Sequence, residues 1–141
     1  MKISTRNVLA GTVSSLQPGA VNAEVGIALG GDRLVAVVTM ESVRALELAE
    51  GAPVLAIVKA PWVLLMSDAS GVRLSARNQL RGIVKAVECG AVNAEVVLSL
   101  AGGSEITAIV TREAVNELGL QPGSAAVAVI KASSVILGVP A

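Results

Sequence analysis

The chain has 141 residues, and its eleven Lys and Arg balance eleven Asp and Glu. A formal charge of zero argues against a polyanion partner such as DNA, whose binding draws on clustered positive charge. The absence of His removes imidazole zinc sites and every His-based dyad or triad, and the single Cys89 allows neither an intramolecular disulfide nor a cysteine metal cluster.

From the N-terminus, Ser4, Thr5, Arg6 and Asn7 are polar and leave no apolar signal-peptide core, so a cytoplasmic protein is expected. Hydrophobic residues make up 53% of the chain. The strongest apolar stretch, Val54 to Met66, is nevertheless broken by Lys59 and Pro61, short of the roughly 20 apolar residues that a membrane-spanning helix requires. Much apolar sequence with few charges predicts burial between subunits, hence self-association and no membrane contact.

The next segments read as a β-rich unit. Apolar runs mark strands near Val8 to Leu16 and Leu34 to Thr39, near Val54 to Ala60, and near Trp62 to Met66. Val21, Ala23, Val25, Ile27 and Leu29 alternate with Asn22, Glu24, Gly26 and Ala28, the period of a half-buried strand. Between the third and fourth strands, Met40 to Leu48 places Val43, Leu46 and Leu48 along a helical face, with Thr39 suited to N-cap it and Gly51 to turn the chain back.

The same plan then recurs. Residues 3–66 begin ISTRNVLAGTVSSLQPGAVNAEV and residues 74–137 begin LSARNQLRGIVKAVECGAVNAEV. One extra residue near Gly102 and Gly103 shifts the alignment, after which Thr39 matches Thr111, Glu41 matches Glu113, Gly51 matches Gly123 and Lys59 matches Lys131. Val115 and Leu118 repeat the helical face. Duplication of one unit predicts two domains, 1–68 and 74–141, joined by a linker at 69–73. Five strands with a helix between the third and fourth predict a mainly β protein of two tandem OB-like five-stranded barrels, each with one short helix.

Little in the sequence could carry catalysis. No GxxxxGK[ST] segment occurs, nor a GxGxxG opening a helix after a strand. Glu24 and Glu95 recur, each alone on the polar side of its strand, as solvated or interface carboxylates. Cys89 stands where the first unit has Pro18. No enzyme activity and no organic cofactor are expected. An OB-like barrel also raises oligonucleotide binding, which needs a basic groove and aromatic platforms. The chain has one Trp, Trp62, whose counterpart is Ser134, and no Phe or Tyr.

What the units share is a set of hydrogen-bond donors: Ser4, Arg6 and Asn7 match Ser75, Arg77 and Asn78, and to these are added Thr39 and Thr111, Lys59 and Lys131. Guanidinium, ammonium and hydroxyl donors together suit an oxyanion. Each also has a plain structural reading, as helix cap, surface charge or strand-end lysine, and an oligomeric scaffold that holds no ion stays open beside the oligonucleotide module.

The pattern Ser-x-Arg-Asn-x-Leu-x-Gly (Ser4 to Gly11, Ser75 to Gly82), then GAVNAEV, then Thr before a short helix, then Val/Ile-Lys-Ala, resembles the Mop domain of molybdate-binding proteins. The whole chain is similar to tandem-domain molbindins of the ModG type. The resemblance implies reversible, non-catalytic binding of molybdate or tungstate in molybdenum storage or homeostasis. It also implies a homotrimer with oxyanion sites at subunit contacts. The binding set carried over is Ser4, Thr5, Arg6, Thr39, Ser42, Lys59 and Ala60 in the first unit, and Ser75, Ala76, Arg77, Thr111, Lys131, Ala132 and Ser133 in the second. Ala76 and Ala114 replace Thr5 and Ser42, and Pro61 stands where the second unit has Ser133, so the two sites are expected to differ. A further class of site near a symmetry axis is implied at the turns Gly19 to Asn22 and Gly90 to Asn93, which equally suit a plain tight turn.

Overall fold

The computed structural model describes residues 1–67 and 71–140. The expected linker falls partly outside them, and residues 71–73 carry no regular structure. The first half contains β1 (Asn7–Pro18), β2 (Asn22–Ala28), β3 (Arg33–Thr39), α1 (Met40–Ala45), β4 (Pro53–Val58) and β5 (Leu64–Met66). The second contains β6 (Asn78–Cys89), β7 (Asn93–Leu100), β8 (Glu105–Thr111), α2 (Arg112–Leu118), β9 (Ala125–Ile130) and β10 (Ile136–Gly138). Short 3-10 turns, Ala60–Trp62 and Ala132–Ser134, follow β4 and β9. These are the ten strands and two helices that the duplicated pattern predicts, and they form two tandem OB-like barrels.

Alternation builds the core. Ala23, Val25 and Ile27 of β2 are 2% exposed or less, as are Ala94, Val96 and Leu98 of β7. Each Val, Ile or Leu taken fully out of water contributes about 1.5–3 kcal/mol. β1 and β6 are long enough to pair on both sides, β1 with β2 and β4, β6 with β7 and β9, and each is bent by a bulge, between Val13 and Ser15 or between Val84 and Ala86. The Gly of the N-terminal motif is required by close approach: a Cβ at Gly11 would lie 2.3 Å from the Ala28 carbonyl oxygen, and one at Gly82 would lie 2.5 Å from that of Ser99.

The two sheets do not coincide with the two halves of the sequence. Their strand orders are β10-β4-β1-β2-β3 and β5-β9-β6-β7-β8. Ile136 to Gly138 pair with Ile57 to Leu55, and Leu64 to Met66 pair with Val129 to Val127, so each sheet takes its fifth strand from the other half. Two buried amides complete the joint. Asn7 Nδ2 donates to the Thr107 carbonyl at 2.7 Å and Asn7 Oδ1 accepts from Thr107 N at 2.8 Å. Asn78 makes the same pair with Val35, both bonds at 2.7 Å. At the far end, Asp32 accepts from the backbone N–H of Gly102 and of Ser104.

Both helices start at the expected threonine: Thr39 Oγ1 accepts from Ser42 N at 3.1 Å and Thr111 Oγ1 from Ala114 N at 3.0 Å. The first helix is shorter than the predicted Met40 to Leu48. It stops because Glu47 takes φ 53° and Leu48 N bonds back to the Val43 carbonyl, so Leu48 is buried beyond the helix rather than along it. The fifth strand is also shorter than predicted, because Pro61 and Trp62 belong to the 3-10 turn. No helix of the described residues is long and apolar enough to cross a membrane.

Candidate functional site

The N-terminal motif and the Lys-Ala step after β4 meet because β1 runs antiparallel to β4, with Asn7 opposite Val58. Residues just before β1 and just after β4 therefore share one end of the sheet. A pocket of about 200 Å³ opens there, lined by Ser4, Thr5, Arg6, Lys59, Ala60 and Pro61 from the first half and by Glu95 and Ile109 from the second. Its two cations differ in setting. Arg6 Nη1 lies 2.7 Å from Glu95 Oε1. Lys59 Nζ lies 5.4 Å from the centre of the Trp62 ring, a cation–π contact that holds the ammonium at the pocket without neutralising it.

The hydroxyls are not equivalent as donors. Thr5 donates to the Val58 carbonyl at 2.7 Å and accepts from Asn7 N, so its single proton is used in fixing the turn into β1. Thr39 donates to Ser42 Oγ at 2.9 Å, which leaves the Ser42 proton to point elsewhere.

Around the duplicated position a second pocket of about 360 Å³ is lined by Ser75, Ala76, Lys131 and Ser134, with Val129 and Leu74, and with Trp62 and Leu64 carried across by the strand exchange. Arg77 does not line it. Its guanidinium forks onto Glu24 of the first half, Nη1 to Oε2 at 2.7 Å and Nη2 to Oε1 at 2.8 Å.

The structure thus brings together Ser4, Thr5, Arg6, Lys59 and Ala60 in one pocket and Ser75, Ala76 and Lys131 in another. Thr39, Ser42, Arg77, Thr111, Ala132 and Ser133 line neither, and Ser134 takes the place expected of Ser133. β3, which ends at Thr39, packs on the turn Ala132–Ser134, and β8, which ends at Thr111, packs on the turn Ala60–Trp62. Asn7 and Asn78, grouped by sequence with the anion donors, are instead buried between the halves. The turns at Gly19 and Gly90 are closed by the glycine N–H donating to the carbonyl of Asn22 or Asn93 at 2.8 Å. They also hold the helices: Met40 N donates to the Val21 carbonyl and Arg112 N to that of Val92. Sequence reasoning missed the pocket roles of Glu95 and Ile109. The recurrence of Glu24 and Glu95 was the available signal, and only the packing of the halves turns it into a contact with arginine.

Two small barrels sharing strands, with cationic pockets where their halves meet, define a tandem-barrel protein of the oxyanion-binding kind. The family model of the TOBE domain matches residues 3–65 and 74–137. The chain is 45% identical over 141 residues to the molybdenum-pterin-binding protein MopA of Rhodobacter capsulatus, covering 99% of this chain and 53% of that protein. It is 47% identical over 64 residues to the molybdenum-pterin-binding protein 3 of Clostridium pasteurianum, covering 45% of this chain and 94% of that one. A crystal structure of the cytoplasmic molybdate-binding protein ModG with molybdate bound superposes with a TM-score of 0.95 at 70% identity, covering 99% of this chain and all of that one. The chain belongs to the TOBE-domain family, as a tandem Mop-domain molbindin. It spans about half the length of the curated relatives that it matches from end to end.

Proposed function

We propose that this chain binds molybdate, and tungstate in the same way, reversibly and without turnover, as an intracellular store or buffer of molybdenum in the cytoplasm. The observation that carries this reading is the convergence of Arg6, Lys59 and Ser4 on one pocket in a chain 70% identical to a protein crystallised with molybdate bound. A tetrahedral dianion fits such a donor set: a planar fork, a compact ammonium and a hydroxyl, beside a turn whose backbone N–H groups add dipoles. The carboxylate of Glu95 at the same pocket opposes any anion that does not recover its cost from both cations.

Of the rest of the expected set, Thr39, Thr111 and Ser133 are exposed and Ser42 is half-buried, and a homotrimer would bring them to a neighbour's pocket; Ala132 is buried and would contribute through its backbone. Exposed apolar residues support association. They recur in pairs across the duplication, Val21 with Val92 (72% and 73% exposed), Leu64 with Ile136, and Ile3 with Leu74. In such an assembly the turns carrying Gly19, Asn22, Gly90 and Asn93 would form the further class of anion site near the axis.

Calorimetric titration with molybdate, tungstate, sulfate and phosphate tests the assignment, with saturable binding of the first two and much weaker binding of sulfate expected. Equal, weak binding of all four would reduce the pockets to generic anion sites. Light scattering before and after molybdate addition tests the trimer, and a monomer with full molybdate capacity overturns sites shared between subunits. An unchanged stoichiometry in Asn22→Ala/Asn93→Ala would remove the side chains from the axial site.

A further inference from the structure

The two arginines of the duplicated motif are held differently. Arg6 lines its pocket and meets Glu95 through one nitrogen as an ion pair, whereas Arg77 stands away from its pocket with both ends of its fork hydrogen-bonded to Glu24. Resting on the oxyanion reading above, we infer that Glu24 is a built-in competitor that sets the anion affinity of the second-half site by occupying Arg77.

A carboxylate and a tetrahedral oxyanion present the same feature to a guanidinium, two oxygens spaced to accept two parallel N–H bonds. An anion that recruits Arg77 must therefore displace Glu24, and the cost of that displacement is subtracted from its affinity. Glu24 reaches Arg77 because β2 of the first half runs past the entry to β6 of the second, where Asn78, the residue next to Arg77, is pinned to Val35 of β3. That fixed amide holds the guanidinium within reach of the carboxylate. Across the sheet Glu24 sits opposite Gln17, so Arg77 is its only charged contact among the described residues. The pair is partly exposed, with 56% of the Arg77 side chain and 31% of the Glu24 side chain accessible, so the fork can open without burying a charge. The second pocket keeps Lys131 and Ser75 and gains its arginine only when Glu24 lets go. The two sites then fill in order, the Arg6 pocket first.

The test is calorimetric titration with molybdate, tungstate, sulfate and phosphate in an Arg6→Ala/Lys59→Ala background, where the first-half pocket has lost both cations and the second-half site dominates the signal. Glu24→Gln keeps the shape of the side chain and removes its charge. It is expected to tighten binding of every anion that the background takes up by about two- to fivefold, the range that a partly exposed ion pair supports. A role for Glu24 in merely holding the fold predicts the opposite sign, together with a lower thermal midpoint. The gain must vanish when Arg77→Ala is added. Unchanged or weaker binding in Glu24→Gln overturns the inference, as does a gain that survives without Arg77 or the absence of any binding by both proteins. Binding that appears only in Glu24→Gln supports it. A background that binds sulfate and phosphate as well as molybdate undoes the molybdate assignment, while the ratio between the two proteins still decides the role of Glu24.

Discussion

Asn78 pairs with Val35 as one strand residue pairs with another: its amide oxygen accepts from Val35 N and its amide nitrogen donates to the Val35 carbonyl, both at 2.7 Å. Asn78 is 2% exposed and the contact joins the two halves of the chain. Asn78→Ala leaves a buried N–H and a buried C=O without partners, and is expected to cost about 2–4 kcal/mol, read from denaturant unfolding. Asn78→Asp should be at least as damaging at neutral pH, since it sets a carboxylate against the Val35 carbonyl. A loss under 1 kcal/mol in both, roughly the effect of an ordinary surface change, would mean that the joint is held by apolar contacts alone.

Trp62 gives both pockets an internal reporter, since it carries Lys59 of the first and itself lines the second. Trp62 is the only aromatic residue, and its ring carries the ammonium that the anion would recruit. Molybdate is expected to change its fluorescence saturably. Lys59→Ala should weaken binding at the first-half pocket by about tenfold, the worth of one charge-assisted hydrogen bond. Lys85→Ala, whose partner Glu105 lies outside both pockets, should leave the titration unchanged. A Lys59→Ala protein with the parent's titration curve would remove Lys59 from the site.

Glu47 occupies the left-handed position that closes α1, with φ 53°, and its repeat counterpart Gly119 closes α2 with φ 64°. A side chain in that conformation is strained and glycine is not. Glu47→Gly is expected to raise stability by about 1 kcal/mol, measured by thermal unfolding, without altering anion binding. Destabilisation would show that the Glu47 side chain makes contacts worth more than its backbone strain.

The exchange of β5 and β10 makes a definite claim about the isolated half. A chain ending after residue 67 keeps β4 but lacks the strand that covers its open side. It is expected to dimerise by giving β5 to a second copy, and sedimentation velocity would show this. A folded monomer of that length would mean that β5 can turn back onto its own sheet. The clostridial relative, similar to a single unit, shows that chains of this length occur.

The sequence by itself determined the repeat, the strands and the helices, because those follow from local patterns. Alternating Val, Ile and Ala in β2 and β7, a threonine able to cap each helix, and a glycine to turn the chain back after it are all readable one segment at a time. It also supplied the inventory of hydrogen-bond donors, Arg6, Lys59 and Ser4 with their duplicates, since residue types fix what can be donated. Only the tertiary structure decided which sheet the last strands join. Leu64 to Met66 and Ile136 to Gly138 are short apolar segments that suit either β4 or β9, and the path of the chain between the halves chooses. It decided likewise that Asn7 and Asn78 serve the joint rather than the pocket, and that Glu24 and Glu95 face arginines of the opposite half. Those contacts link residues far apart in sequence, so no local pattern encodes them; they exist only once two barrels have packed against each other.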